Sequence, residues 1–418
     1  MSNIAFMFPG VGAQSTGMGK TFYDNFAIFR QTIQEAEDEL KMNFRRLCFD
    51  KNAFAELAAL QASQCSLLAV SYGIFRVFMK EVGLQPAYCL GHSLGEYTAL
   101  TAAGVIRYPD ALHLVKKRGE IIEDCLREIN GTMAWGINLH SEKVYECCNE
   151  IFEEGHRVYI SAYDGPDQVS ISGDVSAVYA LGKRLEKAGG IVYPLNMNGP
   201  FHCPLMLDAA VAMKRELDKY QYAIGTSKVL ANCNMLLYDG PGSVAANLSA
   251  QLISPVLWSG QIQRLEKEGV DVAIELGPKE LLKFLLMRNT EQITAFSVSE
   301  DKHLETVRQH FLIEESEYHT IIGRGLGIIV GTPNHSTNQQ EYKQRVVKPF
   351  QALKATYVQA TADNRKINSG EVIDAVRMVR DALEAKEIEK HKREEYISHM
   401  LGKKHLIQHG SEYKMITG

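Results

Sequence analysis

The pattern of apolar positions predicts alternating strands and helices along most of the chain. Residues 4–8 form a short continuous apolar run, typical of a buried strand, and a glycine-rich loop follows at once. Apolar residues recur at helical spacing within 22–40 and within 57–80. Two further apolar runs, 228–232 and 271–275, are predicted as strands of the same main sheet. The chain is therefore predicted to have an α/β fold.

A different order of elements interrupts this pattern. Strands are predicted at 132–137, 157–162, 168–172 and 190–195, and helices at 142–152 and 175–187. The order β-α-β-β-α-β is the split βαβ arrangement of a ferredoxin-like unit. We predict that this small domain, residues 129–197, is inserted into a large domain formed by residues 1–128 and 198–310.

Beyond residue 310 the composition changes. The stretch from Gly323 to Asn338 is rich in Gly, Pro, Asn and Ser, which favour irregular backbone, and we predict a linker over residues 311–340. Within it, Gly327-Ile328-Ile329-Val330 is apolar enough to pack as an extended segment along the large domain.

Two helical patterns follow the predicted linker. The second is introduced by Asn368 with Glu371 three residues later, which is the spacing of a capping box. The two patterns predict a helical C-terminal extension, residues 341–418. We expect them to form an antiparallel hairpin that buries Phe350, Leu353, Tyr357, Val376 and Leu383.

The sequence Gly91-His92-Ser93-Leu94-Gly95 lies between a strand-prone run and a helix-forming run. A G-x-S-x-G motif in that context is a nucleophile elbow, typical of α/β-hydrolase-like folds, and we predict that architecture for the large domain. Ser93 is the predicted nucleophile. Because it precedes a helix, the backbone N–H of Leu94 can donate to an oxyanion. A chance match to the motif is the alternative.

An elbow serine needs a base that follows it in the chain. His202, at the start of a predicted helix, is the best candidate among 13 histidines. We expect packing beneath the turn to hold His92. The loop after the first strand lacks the spacing of a phosphate-binding loop, but it could aim the backbone N–H of Val11 at the oxyanion. Arg118 lies on a predicted helix, where an arginine is more often solvated than bound to substrate.

Composition excludes several classes of function. The chain has 418 residues, and 45 Lys and Arg against 50 Asp and Glu give a formal net charge of -5, with no broad basic stripe. Nucleic acid is therefore not expected as a partner. The 8 cysteines show no C-x-x-C pair, and no metal site is expected. Neither a leader with a basic start nor an apolar run of membrane-spanning length is found, so a cytoplasmic location is expected and a membrane partner is not.

Taken together, the motifs resemble those of the malonyl-CoA:acyl-carrier-protein transacylases, including the acyltransferase domains of polyketide synthases. The resemblance covers roughly residues 3–300. It rests on Phe8-Pro9-Gly10-Val11-Gly12-Ala13-Gln14, Ser63-Gln64, Gly91-His92-Ser93-Leu94-Gly95-Glu96, Lys117-Arg118-Gly119, Gln168-Val169-Ser170-Ile171-Ser172-Gly173, Gly199-Pro200-Phe201-His202 and Glu275-Leu276-Gly277-Pro278.

The resemblance implies a role for each matching residue. Ser93 would be the acylated nucleophile and His202 its general base, and the main-chain carbonyl of Asn232 would orient His202. The backbone N–H groups of Val11 and Leu94 would form the oxyanion hole. The implied substrate-binding residues are Arg118, Gln64, Phe201 and His92.

Two of these residues imply a malonyl substrate. Arginine offers a planar fork that matches a carboxylate, so Arg118 would clamp the malonyl group. Phe201 would crowd a substituent on the α-carbon and so favour malonyl over methylmalonyl. Asp164 is a departure from the family pattern, in which asparagine is common at that place.

The implied function is transfer of a malonyl group from malonyl-CoA, through a seryl ester, to the phosphopantetheine thiol of an acyl carrier protein. No cofactor is implied. The C-terminal extension resembles that of free-standing acyltransferases that act in trans for polyketide synthase modules, and it could contact such modules. The alternatives are a proofreading acyl hydrolase of the same fold and a non-catalytic docking subunit for a carrier protein.

Overall fold

The structure, a computed structural model, describes residues 3–402, 404–409 and 412–416. Residues 1, 2, 403, 410, 411, 417 and 418, which belong to the predicted domains 1–128 and 341–418, lie outside the described residues. Contacts within the chain divide it into a larger unit, residues 3–80 and 85–303, and a smaller unit, residues 81–84 with the described residues from 304 to 416.

The strands, in chain order, are β1 Ile4–Phe8, β2 Tyr88–Gly91, β3 Gly131–Ile137, β4 Val158–Gly165, β5 Gln168–Asp174, β6 Ile191–Asn198, β7 Lys228–Val229, β8 Val272–Leu276, β9 Thr294–Val298, β10 Leu406–His409 and β11 Glu412–Met415. The helices are α1 Lys20–Asn25, α2 Ala27–Leu40, α3 Phe44–Phe49, α4 Phe54–Ala58, α5 Leu60–Glu81, α6 Gly95–Ala102, α7 Tyr108–Cys125, α8 Ser141–Glu153, α9 Val175–Lys187, α10 Leu207–Leu217, α11 Pro241–Ala250, α12 Trp258–Lys267, α13 Leu281–Asn289, α14 His303–Phe311, α15 Tyr318–Gly331, α16 Gln339–Tyr342, α17 Lys348–Ala362, α18 Ser369–Ala385 and α19 Lys390–Leu401.

A parallel five-stranded sheet in the order β7-β2-β1-β8-β9 forms the centre of the larger unit. Its strands are continuous apolar runs because both faces are covered, as β1 shows by burying all of its residues. The register pairs Phe8 of β1 with Gly91 of β2, and Met7 with Glu275 of β8. The carboxyl ends of these three strands therefore meet at one edge, which is where open α/β sheets place their sites.

The strand predicted at 228–232 is shorter than expected. It ends at Val229, and the backbone N–H of Asn232 donates to the side chain of Glu96 at 3.1 Å. A side-chain acceptor thus takes the place of a neighbouring strand for this N–H group.

Helix α5 is a core helix of the larger unit. Within the described residues it is the helix that is long and apolar enough to cross a membrane, by length and composition only. However, 78% of that apolar stretch is buried inside the structure, which accounts for its composition without a membrane.

The inserted segment forms a four-stranded antiparallel sheet in the order β4-β5-β3-β6. Helices α8 and α9 pack on it, and their apolar stripes build a separate core with the strands that includes Val144, Ile151, Leu181 and Leu185. The predicted β-α-β-β-α-β order is therefore confirmed, and with it the ferredoxin-like architecture.

The smaller unit differs from the prediction at residues 318–331. The irregular backbone and the extended segment predicted there are wrong, because α15 occupies Tyr318–Gly331. Isoleucines two helical turns apart are buried on it, Ile321 with Ile328 and Ile322 with Ile329. The nitrogen Nζ of Lys386 donates to the carbonyls of Ile329 and Thr332 at the end of this helix, where a cation is favourable.

Helices α17 and α18 correspond to the two predicted helical patterns. Leu353, Val376 and Leu383 are buried in the core of the smaller unit, and Phe350 and Tyr357 are partly buried against it. The capping box of Asn368 and Glu371 is present. The core is larger than the expected hairpin, because α15 and α19 contribute to it as well.

Candidate active site

Ser93 lies at the corner between β2 and α6 with a φ of 53°, a left-handed conformation that is unusual for a serine. A Cβ added at Gly91 would lie 1.9 Å from the carbonyl carbon of Gly95, and one added at Gly95 would lie 1.9 Å from the oxygen of Phe8. Glycine is thus required on both sides of Ser93. The corner has the geometry of a nucleophile elbow.

Two side chains hold the backbone of this corner. The oxygen Oδ1 of Asn232 accepts a hydrogen bond from the N–H of Ser93 at 2.7 Å, and its Nδ2 donates to the carbonyl of Gly91 at 2.7 Å. The nitrogen Nε2 of Gln251 donates to the carbonyl of Ser93 at 2.9 Å. A strained conformation persists only when its surroundings fix it in this way.

His202 meets Ser93 directly. The distance between Oγ of Ser93 and Nε2 of His202 is 2.7 Å, and His202 also has a positive φ, of 59°. The nitrogen Nδ1 of His202 lies 2.8 Å from the main-chain carbonyl of Gln251. Because a carbonyl can only accept, Nδ1 carries the proton in the neutral ring, and Nε2 is left as the acceptor for the hydroxyl of Ser93.

The prediction that the main-chain carbonyl of Asn232 orients His202 is wrong. The main-chain carbonyl of Gln251 accepts the hydrogen bond from His202 instead. The carbonyl of Asn232 accepts from the N–H of Leu257 at 2.9 Å. Asn232 contacts Ser93 instead, because its side-chain oxygen accepts a hydrogen bond from the backbone N–H of Ser93. Gln251 was missed because a main-chain carbonyl gives no signal in the sequence.

Burial keeps His202 neutral. The pKa of His202 is lowered to about 3, chiefly by loss of solvation and in part by the positive charge of Arg118, whereas the hydrogen bond to the Gln251 carbonyl acts in the opposite direction. Nε2 is therefore unprotonated at neutral pH and free to accept a proton. An anionic group that entered beside Arg118 would offset its charge and make His202 a stronger base.

Arg118 is buried, with 2% of its surface exposed, and burial lowers its pKa from the usual value. Its Nη1 donates to Oε1 of Gln64 at 2.5 Å, and its guanidinium lies over the ring of Tyr97 at 5.8 Å. Within the described part of the chain, Nε of Arg118 and Nε2 of Gln64 have no hydrogen-bond partner. Buried donors left unpaired are costly, so this corner favours an incoming acceptor such as a carboxylate.

A buried carboxyl group that the sequence reasoning missed lies next to this network. Glu96, in the first turn of α6, accepts hydrogen bonds from Tyr238 at 2.6 Å and from Nε2 of Gln251 at 2.5 Å. Burial raises the pKa of Glu96 to about 7. Glu96 therefore helps to fix Gln251, which contacts both Ser93 and His202. In the sequence, the presence of Glu96 within a largely apolar helical run could have indicated a buried carboxyl group.

A cavity of about 800 Å³ has Phe201, the residue before His202, in its wall. Val11 and Phe201 line it together with Leu57, Leu60, Leu126 and Lys279. The loop that carries Val11 lies against the elbow, because a Cβ added at Gly10 would be 2.4 Å from the oxygen of His92 and 3.6 Å from the nitrogen of Leu94. The loop of Val11 and the N–H of Leu94, the two predicted parts of an oxyanion hole, are thus neighbours.

The side chain of His92 contacts Asp164, a residue of the small domain. Its Nε2 lies 3.0 Å from Oδ1 of Asp164, and its ring lies 5.7 Å from that of Trp258. Asp164 is fixed in turn by Ser170, whose hydroxyl donates at 2.7 Å. The predicted contact of His92 with substrate stays a prediction. Across the described residues, no group of three His, Cys, Asp or Glu side chains is placed to hold a metal ion.

Comparison with known proteins gives consistent matches. The family model described as "Acyl transferase domain" matches residues 5–323. A "Malonyl CoA-acyl carrier protein transacylase" of Bacillus subtilis strain 168 is 34% identical over 311 residues, which are 74% of this chain and 97% of that protein. The protein of the same name from Escherichia coli K12 is 33% identical, over 72% of this chain and 97% of its own.

Solved structures agree. An acyl carrier protein S-malonyltransferase from Vibrio cholerae is similar with a TM-score of 0.70 at 32% identity, over 73% of this chain and 100% of that one. A malonyl-transacylase in complex with a type II polyketide synthase acyl-carrier protein has a TM-score of 0.71 at 31% identity, over 74% of this chain and 100% of that one. On the match over residues 5–323 and these relatives, the chain belongs to the acyl transferase domain family that includes the malonyl CoA-acyl carrier protein transacylases.

Proposed function

We propose that this protein transfers a malonyl group from malonyl-CoA to the phosphopantetheine thiol of an acyl carrier protein through an ester on Ser93. The observation that carries the proposal is the pairing of a nucleophile and a base, Ser93 and His202, with a buried arginine whose Nε has no partner in the described residues. A neutral acyl group would leave that donor unpaired, whereas a malonyl carboxylate can accept from it.

The first half-reaction forms the ester. Oγ of Ser93 attacks the thioester carbonyl while its proton passes to Nε2 of His202, 2.7 Å away. The negative charge on the carbonyl oxygen is stabilised by the backbone N–H groups of Val11 and Leu94. When the carbon–sulfur bond breaks, His202 returns the proton to the sulfur, and CoA leaves as a thiol.

The second half-reaction reverses these roles. The phosphopantetheine thiol gives its proton to His202 and attacks the ester carbonyl. The bond to Oγ breaks, Ser93 recovers the proton from His202, and malonyl leaves as a thioester of the carrier protein. These steps are balanced without a cofactor.

Residues around the acyl group set its identity. We propose that Arg118 and Gln64 hold the carboxylate, and that Phe201, 5% exposed and on the cavity wall, limits the space at the α-carbon. The contact of Arg118 with Gln64 supports this assignment, because the amide holds the guanidinium in one orientation.

We also propose that the protein acts in trans for a polyketide synthase, and that residues 129–197 form a small domain inserted between residues 1–128 and 198–310 of the large domain. The family model ends at residue 323, within α15, and most of the helical core of the smaller unit follows that residue. Another Bacillus subtilis relative, 33% identical, is matched over 78% of its length and 76% of this chain. That protein therefore also has residues outside the region that the two chains share. The ratio of kcat/KM for a polyketide carrier domain to that for a fatty-acid carrier tests this assignment, and a preference for the fatty-acid carrier would contradict it.

The malonyl assignment is tested by intact-mass analysis after separate incubation with malonyl-CoA, acetyl-CoA and methylmalonyl-CoA. We expect one malonyl group per chain and little of the other two. Equal labelling by acetyl-CoA and malonyl-CoA would contradict the proposal.

A further inference from the structure

Helix α13 exposes an apolar stripe in the larger unit. Leu281, Phe284 and Met287 are 41%, 58% and 55% exposed, and their spacing of three residues places them on one side of the helix. The opposite side is in the core, where Leu282 and Leu286 are buried. Large apolar side chains grouped on a surface mark an interaction site more often than single ones do. Leu281, Phe284 and Met287 together form a surface, the α13 face.

The α13 face begins at the rim of the cavity. Strand β8 ends at Leu276 at the carboxyl edge of the sheet, and a short turn leads from it into α13. Lys279 in that turn lines the cavity, and its Nζ donates to the carbonyl of Gly12 at 2.7 Å. A macromolecule seated on the α13 face would therefore lie beside this cavity.

Cations accompany the apolar stripe. Lys283 lies 6.0 Å from the ring of Phe284 and pairs with Glu280 at 3.2 Å. Arg288 pairs with Asp167 of the small domain at 2.7 Å. These are exposed or half-exposed pairs, which contribute little to stability but remain available to a charged partner.

We propose that the α13 face is the docking surface for the body of the acceptor carrier protein, an inference that rests on the proposed function. The thiol must reach Ser93 through the cavity, so the protein that carries the arm has to sit at its rim. The arm is joined to its carrier through a phosphodiester, which brings a negative charge to the rim beside Lys279. Apolar contact supplies affinity, and the cations steer the encounter.

The test compares three full-length variants with the unaltered protein. Phe284→Ser with Met287→Ser removes the apolar stripe, and Lys283→Glu reverses a charge. Tyr179→Ser is the matched control, because Tyr179 is an aromatic residue of α9 that is 66% exposed. The measurements are acyl-enzyme formation from malonyl-CoA, transfer to free pantetheine, and KM for a bacterial holo acyl carrier protein.

For the double variant we expect KM for the carrier protein to rise on the order of tenfold, with acylation and transfer to pantetheine unchanged. For Lys283→Glu we expect a smaller rise that disappears as salt is added. Tyr179→Ser should change none of the three measurements.

Unaltered KM in both variants, with normal acylation, overturns the docking surface alone. A concentration-dependent dimer that the double variant abolishes, with KM unchanged, would assign the α13 face to a second copy of this chain and overturn the proposal as well. Failure of the unaltered protein to form the acyl-enzyme would overturn the proposed function, and this inference with it.

Discussion

Glycines act differently in two regions, the elbow of the larger unit and helix α15 of the smaller unit. At Gly91 and Gly95 a side chain would collide with backbone, so glycine permits a strained turn around Ser93. At Gly325 a Cβ would lie 2.8 Å from Cε of Met400, and at Gly323 it would lie 3.2 Å from the ring of Tyr357. There glycine permits close packing of a regular helix.

The buried polar groups of the two regions also differ in what they bond to. Those around the elbow, such as Arg118, Glu96 and Gln251, bond to one another and to the backbone of Ser93. In the smaller unit the buried Lys386 caps a helix. The residues suited to chemistry are therefore grouped around the elbow, whereas the smaller unit is built as an apolar core. If this separation holds, changes at the elbow should alter acylation, and changes in the smaller unit should alter stability alone.

Replacement of His202 by alanine should lower the rate of acylation by malonyl-CoA by about 10²- to 10⁴-fold, because the general base is lost. Quenched-flow intact-mass analysis measures the rate. His202→Gln serves as a control for packing and should be similarly slow. A loss of less than about tenfold would mean that another group accepts the proton of Ser93.

For Arg118→Ala we expect a change of preference as well as a loss. Loss of the guanidinium should raise the activation free energy of malonyl transfer by about 2–5 kcal/mol, the usual effect of truncating one partner of a buried charge pair. Acetyl transfer, which does not use the guanidinium, should become faster relative to malonyl transfer. The ratio of kcat/KM for malonyl-CoA to that for acetyl-CoA measures this. A variant that keeps its preference for malonyl would show that Arg118 is not the clamp.

In the smaller unit, Leu383→Ala should lower the free energy of unfolding by about 2–5 kcal/mol, because Leu383 is fully buried in its core. Hydrogen exchange of the amides in α15, α17 and α18 measures the change locally. The control is Val358→Ala, at a residue 52% exposed, which should have little effect. Acylation of Ser93 should be unchanged in both variants, and its loss in Leu383→Ala would break the separation of the two regions.

A smaller effect is expected from pH. The pKa of His202 is lowered in the folded chain to about 3, so between that value and its ordinary pKa the unfolded chain binds the proton and the folded chain does not. Stability therefore falls as pH decreases through this window. Relative to His202→Gln, the protein should lose about 2 kcal/mol between about pH 6.5 and about pH 5 in urea unfolding. If the free energies of unfolding of the unaltered protein and of His202→Gln depend equally on pH, His202 is not a buried neutral histidine.

The elbow could be predicted because its determinants are local. A buried strand, a glycine on each side of the serine and a helix-forming run lie within a few residues of one another, and the structure places Ser93 as they indicate. His202 could be proposed because an elbow serine needs a later base and because His202 lies at the start of a predicted helix. The small domain was likewise visible in the order of its elements.

Two features could not be predicted because they depend on distant contacts. The partner of His202 is a main-chain carbonyl, at Gln251, and any residue could provide it. Helix α15 contains glycines that usually indicate a loop, but the side chains of Tyr357 and Met400, far along the chain, need the space that they leave. In both cases tertiary packing outweighed the local signal.

The central claim is that malonyl-CoA acylates Ser93. Peptide mapping by mass spectrometry after a brief incubation with malonyl-CoA tests it most directly, with Ser93→Ala and a folded-state check of that variant alongside. We expect a single malonyl ester on the peptide that contains Ser93, and no adduct on the folded Ser93→Ala protein. An adduct on another residue, or one that Ser93→Ala retains, would contradict the account.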